Sequence, residues 1–293
     1  MSKILIVGGG VVGLFTAFYL QKKGAEVTVI DKGDLTDGCS YGNAGLIVPS
    51  HVIPLASPGM LHKGMKSLFK PTSPVAARMV PDAGLLHWYL RFTGAATEKH
   101  VRKSIPVLKD LSLLSKRLYQ ELKSSAELDF PFWQKGLLML YKSQKTGEEL
   151  LEEAEIARHA GLEVSELSRN DVFQLEPDAL PAVSGGVHYH SDDHLNPSAL
   201  MNSLISHLEI SGVQLIHNCA LQRIKTTGSK AIGVETSRGL FGFDQLIITA
   251  GMWSSPIMKQ LGLRLAVQPG KGYSFKVKTA AEIHYPALLS DAN

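Results

Sequence analysis

The residues of this chain best suited to chemistry are three glycines, Gly8-x-Gly10-x-x-Gly13, followed further on by Asp31. Their chemistry is that of holding a dinucleotide. A phosphate oxygen accepts hydrogen bonds from backbone N–H groups at a helix N-terminus, where the first turn has no internal partners and the aligned peptide dipoles leave partial positive charge. In this spacing Gly8 takes the tight turn, Gly10 lets the main chain approach a pyrophosphate without an intervening Cβ, and Gly13 lets the helix pack close to a strand. Val11 and Val12 contribute amides of that first turn. The Asp31 carboxylate would accept hydrogen bonds from ribose hydroxyls and disfavours a 2′-phosphate.

The elements that must position these residues occur in the required order. An apolar strand, Ile4 to Val7, runs into the glycines; a helix pattern, LFTAFYLQKKG, follows; and a second strand, AEVTVID, ends on Asp31. Glycine clusters also serve ordinary packing turns, but strand, glycines, helix, strand and acid in register specify a nucleotide-binding βαβ unit.

The chain has 293 residues, 44% of them hydrophobic, enough for a sizeable core and for two domains. Thirty Lys and Arg against 27 Asp and Glu leave a net charge of only +3, which argues against a nucleic-acid binder. Cys39 and Cys219 lie far apart without metal-type spacing, which favours a reducing compartment over a disulfide framework. With a fold that begins at residue 3 and no run of about 20 apolar residues, the expectation is a cytoplasmic protein, soluble or peripheral at the inner face of a membrane.

From Lys32 to Ser57 the sequence is small, polar and glycine-rich, an ordered loop expected to pass along a ligand. Residues 62 to 128 read mostly helical, with Leu108, Leu111, Leu114, Leu118 and Leu122 marking one buried face of a long amphipathic helix. KGLLMLYKS reads as a strand, then a helix from Thr146 to Ala160, the EVSELS strand and the helix NDVFQLEP. Asn196 as N-cap and Pro197 at the first helical position open a returning helix that ends at Gly212. VQLIHN and the runs ALQRIKTT, AIGVETSR and FGFDQLIITAG follow as strands. His188 and His190 share a strand face near His194, but nothing nearby completes a ligand set, so no metal is expected.

Four segments together resemble the FAD-dependent D-amino acid oxidase/dehydrogenase superfamily, and within it the bacterial D-amino acid dehydrogenase small-subunit type. They are the glycine motif with Asp31; Cys39-Ser40-Tyr41-Gly42-Asn43-Ala44-Gly45; Asp193-His194-Leu195-Asn196-Pro197; and Thr249-Ala250-Gly251-Met252-Trp253-Ser254. The resemblance implies an α/β fold, a Rossmann-like FAD-binding domain with an inserted α+β substrate domain. Residues 1–61 and 192–265 would form the first, 62–191 the second, and 266–293 would start a second substrate-domain segment. It implies FAD as cofactor, held by Gly8, Gly10, Val11, Val12, Gly13, Asp31 and Lys32. Ser40, Asn43, Ala44, Gly45 and Leu46 would lie beside the isoalloxazine, and Ala250, Gly251 and Trp253 near the pyrophosphate or ribose.

The implied reaction is hydride transfer from the α-carbon of a small-molecule amine to flavin N5, giving an imine that water hydrolyses. Related dehydrogenases often have Gly-Tyr where this chain has Ser50-His51, and the SHxIPLAxPGM stretch points to cyclic imino acids such as D-proline or hydroxyproline isomers. His51 and Tyr273, the latter from GKGYSF, are the candidate catalytic residues, with a satisfied loop histidine and a core tyrosine as the structural alternatives. GKGYSF is expected as a strand, and the chain stops before the glycine-rich strand and helix that close such flavin domains, so it reads as truncated. A non-catalytic flavin scaffold or subunit and an oxygen-using amine oxidase stay open as alternatives, as do a quinone acceptor, membrane contact through Leu85 to Leu90, and a homo- or hetero-oligomer.

Overall fold

Ile4, Leu5, Ile6 and Val7 are all buried, the pattern of a parallel strand covered on both faces rather than the alternation of a half-exposed one. A computed structural model describes residues 1–36, 38–59, 83–178, 182–275 and 277–291. In chain order its elements are β1 (Lys3–Val7), α1 (Val11–Lys22), β2 (Glu26–Ile30), β3 (Leu46–Ile47), α2 (Ala83–Ala95), α3 (Glu98–Ser124), β4 (Phe132–Trp133) and β5 (Leu137–Tyr141). Next come α4 (Gln144–His159), β6 (Val164–Ser168), α5 (Arg169–Leu175), β7 (Gly185–Tyr189), β8 (Asp193–Leu195), α6 (Pro197–Ile210) and β9 (Gln214–Ile216). The remainder are β10 (Leu221–Thr227), β11 (Lys230–Thr236), β12 (Gly239–Phe241), β13 (Gln245–Ile248), α7 (Ser254–Lys259) and β14 (Ala287–Leu289).

The chain divides into two compact units. The first comprises Met1–Ala44, Ser125–Pro131 and Asn196–Ser274. Its parallel sheet runs β13-β1-β2-β9, and α1 buries Leu14, Ala17 and Phe18 while α6 buries Leu200, Met201, Leu204 and Leu208. The start of α6 is as the sequence predicts: Asn196 Oδ1 accepts the Ala199 N–H at 3.0 Å, and Pro197 occupies the first turn, where its missing donor costs nothing. A three-stranded antiparallel sheet, β10-β11-β12, shares a core of Leu5, Val7, Ile30, Cys219, Ile224 and Val234 with the parallel one. The run FGFDQLIITAG is not one strand; Phe241 ends β12 in the antiparallel sheet and Gln245 begins β13 in the parallel one.

The second unit comprises Gly45–Ser124, Phe132–Leu195 and Phe275–Asn293. It holds the sheets β14-β5-β7-β6 and β3-β8-β4, with Val52, Leu150, Ala154, Ala157, Leu162, Val187 and Tyr189 forming one core. The division falls after Ala44 rather than after residue 61 because Leu46 and Ile47 pair with His194 and Asp193 of β8. Asp192 and Asp193 belong here too, not with the returning helix.

Two further expectations are corrected. Leu111 and Leu114 of α3 are 59% and 40% exposed. Leu122 is buried and Leu108 and Leu118 are half-buried, as expected; beside them the covered face carries Ile105, Lys109, Lys116 and Gln120, and the polar ends of the last three reach the Ala160 carbonyl, the Ser191 carbonyl and Asp193. Long stems cover apolar surface while their tips satisfy buried acceptors. Second, no strand covers 270–275; the C-terminal strand is β14, which pairs parallel with β5. No helix among the described residues is long and apolar enough to cross a membrane. The first part of the stretch expected to be helical, residues 62–82, lies outside the described residues, whereas Leu86 and Leu90 of α2 are exposed.

Candidate functional site

The glycine turn of the first unit is built between β1, α1 and the end of β13. Gly8 has φ +114°, and a Cβ there would lie 2.5 Å from the Thr249 carbonyl oxygen. A Cβ on Gly13 would overlap the Gly8 carbonyl oxygen and crowd Thr249 Oγ1 at 2.7 Å. Protein packing alone therefore requires both glycines. Gly10 differs: the closest atom to a Cβ there is Ser40 Oγ at 3.3 Å. A Cβ at Gly10 would press only on the end of one side chain and on no backbone, at a helix N-terminus whose cap residue is itself this glycine, an arrangement that suits the close approach of a pyrophosphate.

Ser40 Oγ accepts the Val11 N–H at 2.9 Å, which ties the glycine-rich loop to the first turn of α1. Asn43 Nδ2 donates to the carbonyls of Cys39 and Ser40, both at 3.0 Å, and so holds that loop in shape. Asp31 Oδ2 accepts the Gly9 N–H and Oδ1 the Gly33 N–H, each at 2.7 Å. The carboxylate thus fixes the turn as well as facing outward, and its remaining lone pairs can still accept ribose hydroxyls. Lys32 Nζ stands 3.3 Å from the centroid of the Trp253 ring, a cation–π contact between two residues singled out separately in the sequence.

Thr249, which in the sequence only opens the segment Thr249 to Ser254, holds this site together. Its hydroxyl hydrogen is shared between the carbonyls of Val7 and Gly8, at 3.1 and 2.9 Å, and its N–H donates to Val7 at 2.8 Å. These bonds clamp the end of β13 on the turn and place Ala250 beside Gly8 and Gly251 at φ +55°. Its signal in the sequence is its place at the end of a strand, before two small residues.

In the second unit, Ser50, His51, Ile53, Arg102, Ile105 and Tyr189 help line a groove of about 750 Å³. Asp192 is fully buried beside it. Its Oδ1 accepts the Ser50 N–H at 3.0 Å and its Oδ2 the Ser50 hydroxyl at 2.5 Å. Ser50 Oγ is in turn 3.0 Å from His51 Nδ1. Burial pushes the Asp192 carboxyl up to about 6, against the opposing pull of the Ser50 hydrogen bonds and the Lys116 charge, while the neighbouring Asp193 adds to the rise. His51 is an exposed residue, yet the protein around its ring desolvates it enough to hold its pKa below the usual imidazole range.

The expected flavin loop is split between the units, Ser40, Asn43 and Ala44 in the first and Gly45 and Leu46 in the second. Gly45 accepts the Leu195 N–H at 2.9 Å and Leu46 pairs with His194. Tyr273 belongs to the first unit, 78% exposed, with Lys271 Nζ 5.0 Å from its ring centre, so it is not a core tyrosine. The His188 and His190 rings touch at 3.9 Å, but His188 Nε2 donates to the Lys135 carbonyl and His190 Nε2 bonds Ser165. His194 stacks on Trp133 at 4.7 Å.

A family model described as FAD dependent oxidoreductase matches residues 3–292. A D-amino acid dehydrogenase of Dechloromonas aromatica is 29% identical over 281 residues, 93% of this chain and 67% of that protein. Across such relatives the chain spans about two thirds of their length, 64% in another case. Among solved structures, glycine oxidase from Geobacillus kaustophilus has a TM-score of 0.63 at 20% identity, covering 90% of this chain and 60% of that one. L-proline dehydrogenase from P. horikoshii has a TM-score of 0.58 at 17% identity, covering 89% and 56%. The glycine turn, the acid that braces it and the clamp from β13 thus lie within a match that runs almost end to end, and the chain belongs to the FAD dependent oxidoreductase family.

Proposed function

We propose that this protein is an FAD-dependent dehydrogenase of D-amino acids, or of cyclic imino acids such as D-proline and hydroxyproline isomers. The observation that carries the reading is the asymmetry of the glycines. Gly8 and Gly13 answer to the protein's own packing, whereas a Cβ at Gly10 would press only on the end of one side chain, which suits the close approach of a pyrophosphate. Similarity to proteins named D-amino acid dehydrogenase supports the substrate class.

Bound FAD supplies the hydride acceptor. Gly10 and the amides of Val12 and Gly13 would hold the pyrophosphate, with Val11, whose N–H Ser40 Oγ accepts, in the same turn; Asp31 and Lys32 would hold the adenosine ribose, and Ala250, Gly251 and Trp253 would lie near the pyrophosphate or ribose. Ser40, Asn43, Ala44, Gly45 and Leu46 would lie beside the isoalloxazine. His51 of the second unit and Tyr273 of the first are the candidate residues for the substrate. The substrate nitrogen must lose its ammonium proton before the α-hydrogen can leave as hydride, because its lone pair stabilises the cationic product. Burial lowers the His51 pKa and so favours the neutral ring, whose bare nitrogen can accept that proton. The rest is positioning: the chain orients the C–H bond and excludes water.

The test is anaerobic titration of the FAD-loaded protein with a panel of D-amino and imino acids, followed at the flavin absorbance. Bleaching by one of them, with reoxidation by a quinone or dye, is the expected result. Protein that takes up no flavin, or flavin that none of the panel bleaches, overturns the reading. Peroxide formed at the turnover rate would make it an oxidase.

A further inference from the structure

Ser50, Asp192 and His51 are the three residue types of a hydrolase triad, but they are connected in a different order. In a triad the histidine stands between the acid and the serine, so that it can take the serine proton. Here the serine stands in the middle. Ser50 Oγ is 2.5 Å from Asp192 Oδ2 and 3.0 Å from His51 Nδ1. The Ser50 hydroxyl hydrogen goes to Asp192 rather than to His51, so the histidine cannot activate that oxygen as a nucleophile.

The order has a consequence for the imidazole. An ionised carboxylate only accepts hydrogen bonds. Asp192 already accepts the Ser50 N–H at Oδ1, and at Oδ2 it takes the single hydrogen of the Ser50 hydroxyl. The Ser50 oxygen has then no hydrogen left to give and can only accept from His51. Nδ1 must therefore carry the ring proton, which leaves Nε2 with the lone pair.

We infer that Ser50 and Asp192 are positioning residues that lock neutral His51 in its Nδ1–H tautomer, so that Nε2 is the proton acceptor offered to a protonated amine in the groove. This rests on the amine-oxidising reading above for the identity of the substrate. The proton balance closes simply: Nε2 takes one proton from the ammonium group, the amine becomes neutral, and the resulting imidazolium keeps its Nδ1–H bond to Ser50. The charge it gains is one hydroxyl away from the Asp192 carboxylate. The groove walls contributed by Ile53 and Ile105 suit an aliphatic body on the amine.

The tautomer can be read directly. In 15N-labelled protein at pH 8, two-bond 15N–1H correlation spectra distinguish the two ring nitrogens of each histidine, and a His51→Gln sample assigns the His51 signals by their loss. The wild type is expected to show Nδ1 protonated and Nε2 bare. Ser50→Ala is expected to move the proton to Nε2, and Ser50→Thr, which keeps the hydroxyl, to restore the wild-type pattern. A wild-type spectrum with the proton on Nε2 overturns the inference even if neither variant folds. So does a folded Ser50→Ala protein that keeps Nδ1 protonated. The measurement needs neither flavin nor turnover, so failure of the amine-oxidation reading and failure of this one are separately visible.

Discussion

The glycine turn of the first unit and the Ser50 cluster of the second solve the same problem, fixing polar groups for a ligand, by different means. The turn is made of backbone, and most of what it needs lies between β1 and β2 in one short stretch of sequence. The Ser50 cluster is made of side chains, and its two anchoring partners are 142 residues apart. Backbone sites are therefore written as local spacing, because only glycine tolerates the crowding and the positive φ. Side-chain sites are written in topology, which brings β8 and the segment before it alongside the chain just after β3.

The sharpest way to break the comparison is at Gly13. If packing alone demands that glycine, Gly13→Val should fail with or without flavin, since its side chain must displace the Gly8 carbonyl and Thr249. Overpacking commonly costs about 1–3 kcal/mol, and pressing on backbone places this case at or above the upper end. Urea unfolding of apo protein measures it. A stable variant would show that the turn yields.

Gly10→Val separates ligand from packing. Its Cβ meets only Ser40 Oγ at 3.3 Å, so apo stability should change by less than about 1 kcal/mol. FAD affinity should fall by roughly 100-fold, about 2.7 kcal/mol. Equilibrium dialysis with FAD checks it, and unchanged affinity would remove Gly10 from the site.

Asp31→Ala should fall between those two. As a sequence feature the acid points only to a ribose, and its removal would spare the apo protein. In the fold it holds the Gly9 and Gly33 N–H groups at 2.7 Å. Each donor left unpaired costs about 1–3 kcal/mol when buried and less here, where the site is part-exposed. Apo stability should drop by about 1–2 kcal/mol on that basis, together with FAD affinity. An apo protein as stable as wild type would return the carboxylate to a purely ligand-binding role.

Much of the first unit was legible from residue types. Buried Ile4 to Val7, the N-cap at Asn196 and the order strand, glycine turn, helix all follow from local rules. Tertiary context hid the rest. Leu111 and Leu114 repeat at core spacing, yet the covered face of α3 is the one whose lysines reach carbonyls and Asp193. GKGYSF has strand composition, but residues 270–275 pair with no neighbour, whereas Ala287–Leu289 finds β5. Asp192 carries no sign of its burial in the sequence, because the serine that receives it belongs to a distant loop.

The last test reads that buried acid through pH. The unfolded chain titrates Asp192 near 3.8, and burial raises the folded value to about 6. Between those values the folded protein binds more protons than the unfolded one, so the contribution of this group to stability falls as pH rises through the window and stays low above it. A separation of this size corresponds to at most about 3 kcal/mol. Lys116 and Asp193 act on the same carboxyl and pull in opposite directions, so the comparison is with Asp192→Asn, which leaves both in place. The wild type should lose stability relative to that variant from pH 4 to pH 6.5, measured by urea unfolding at each pH. A flat difference would mean that Asp192 is ionised throughout and that the Ser50 hydrogen bonds outweigh its burial. The opposite slope would place its folded pKa below 3.8, and the side-chain site would then be held as firmly as the glycine turn.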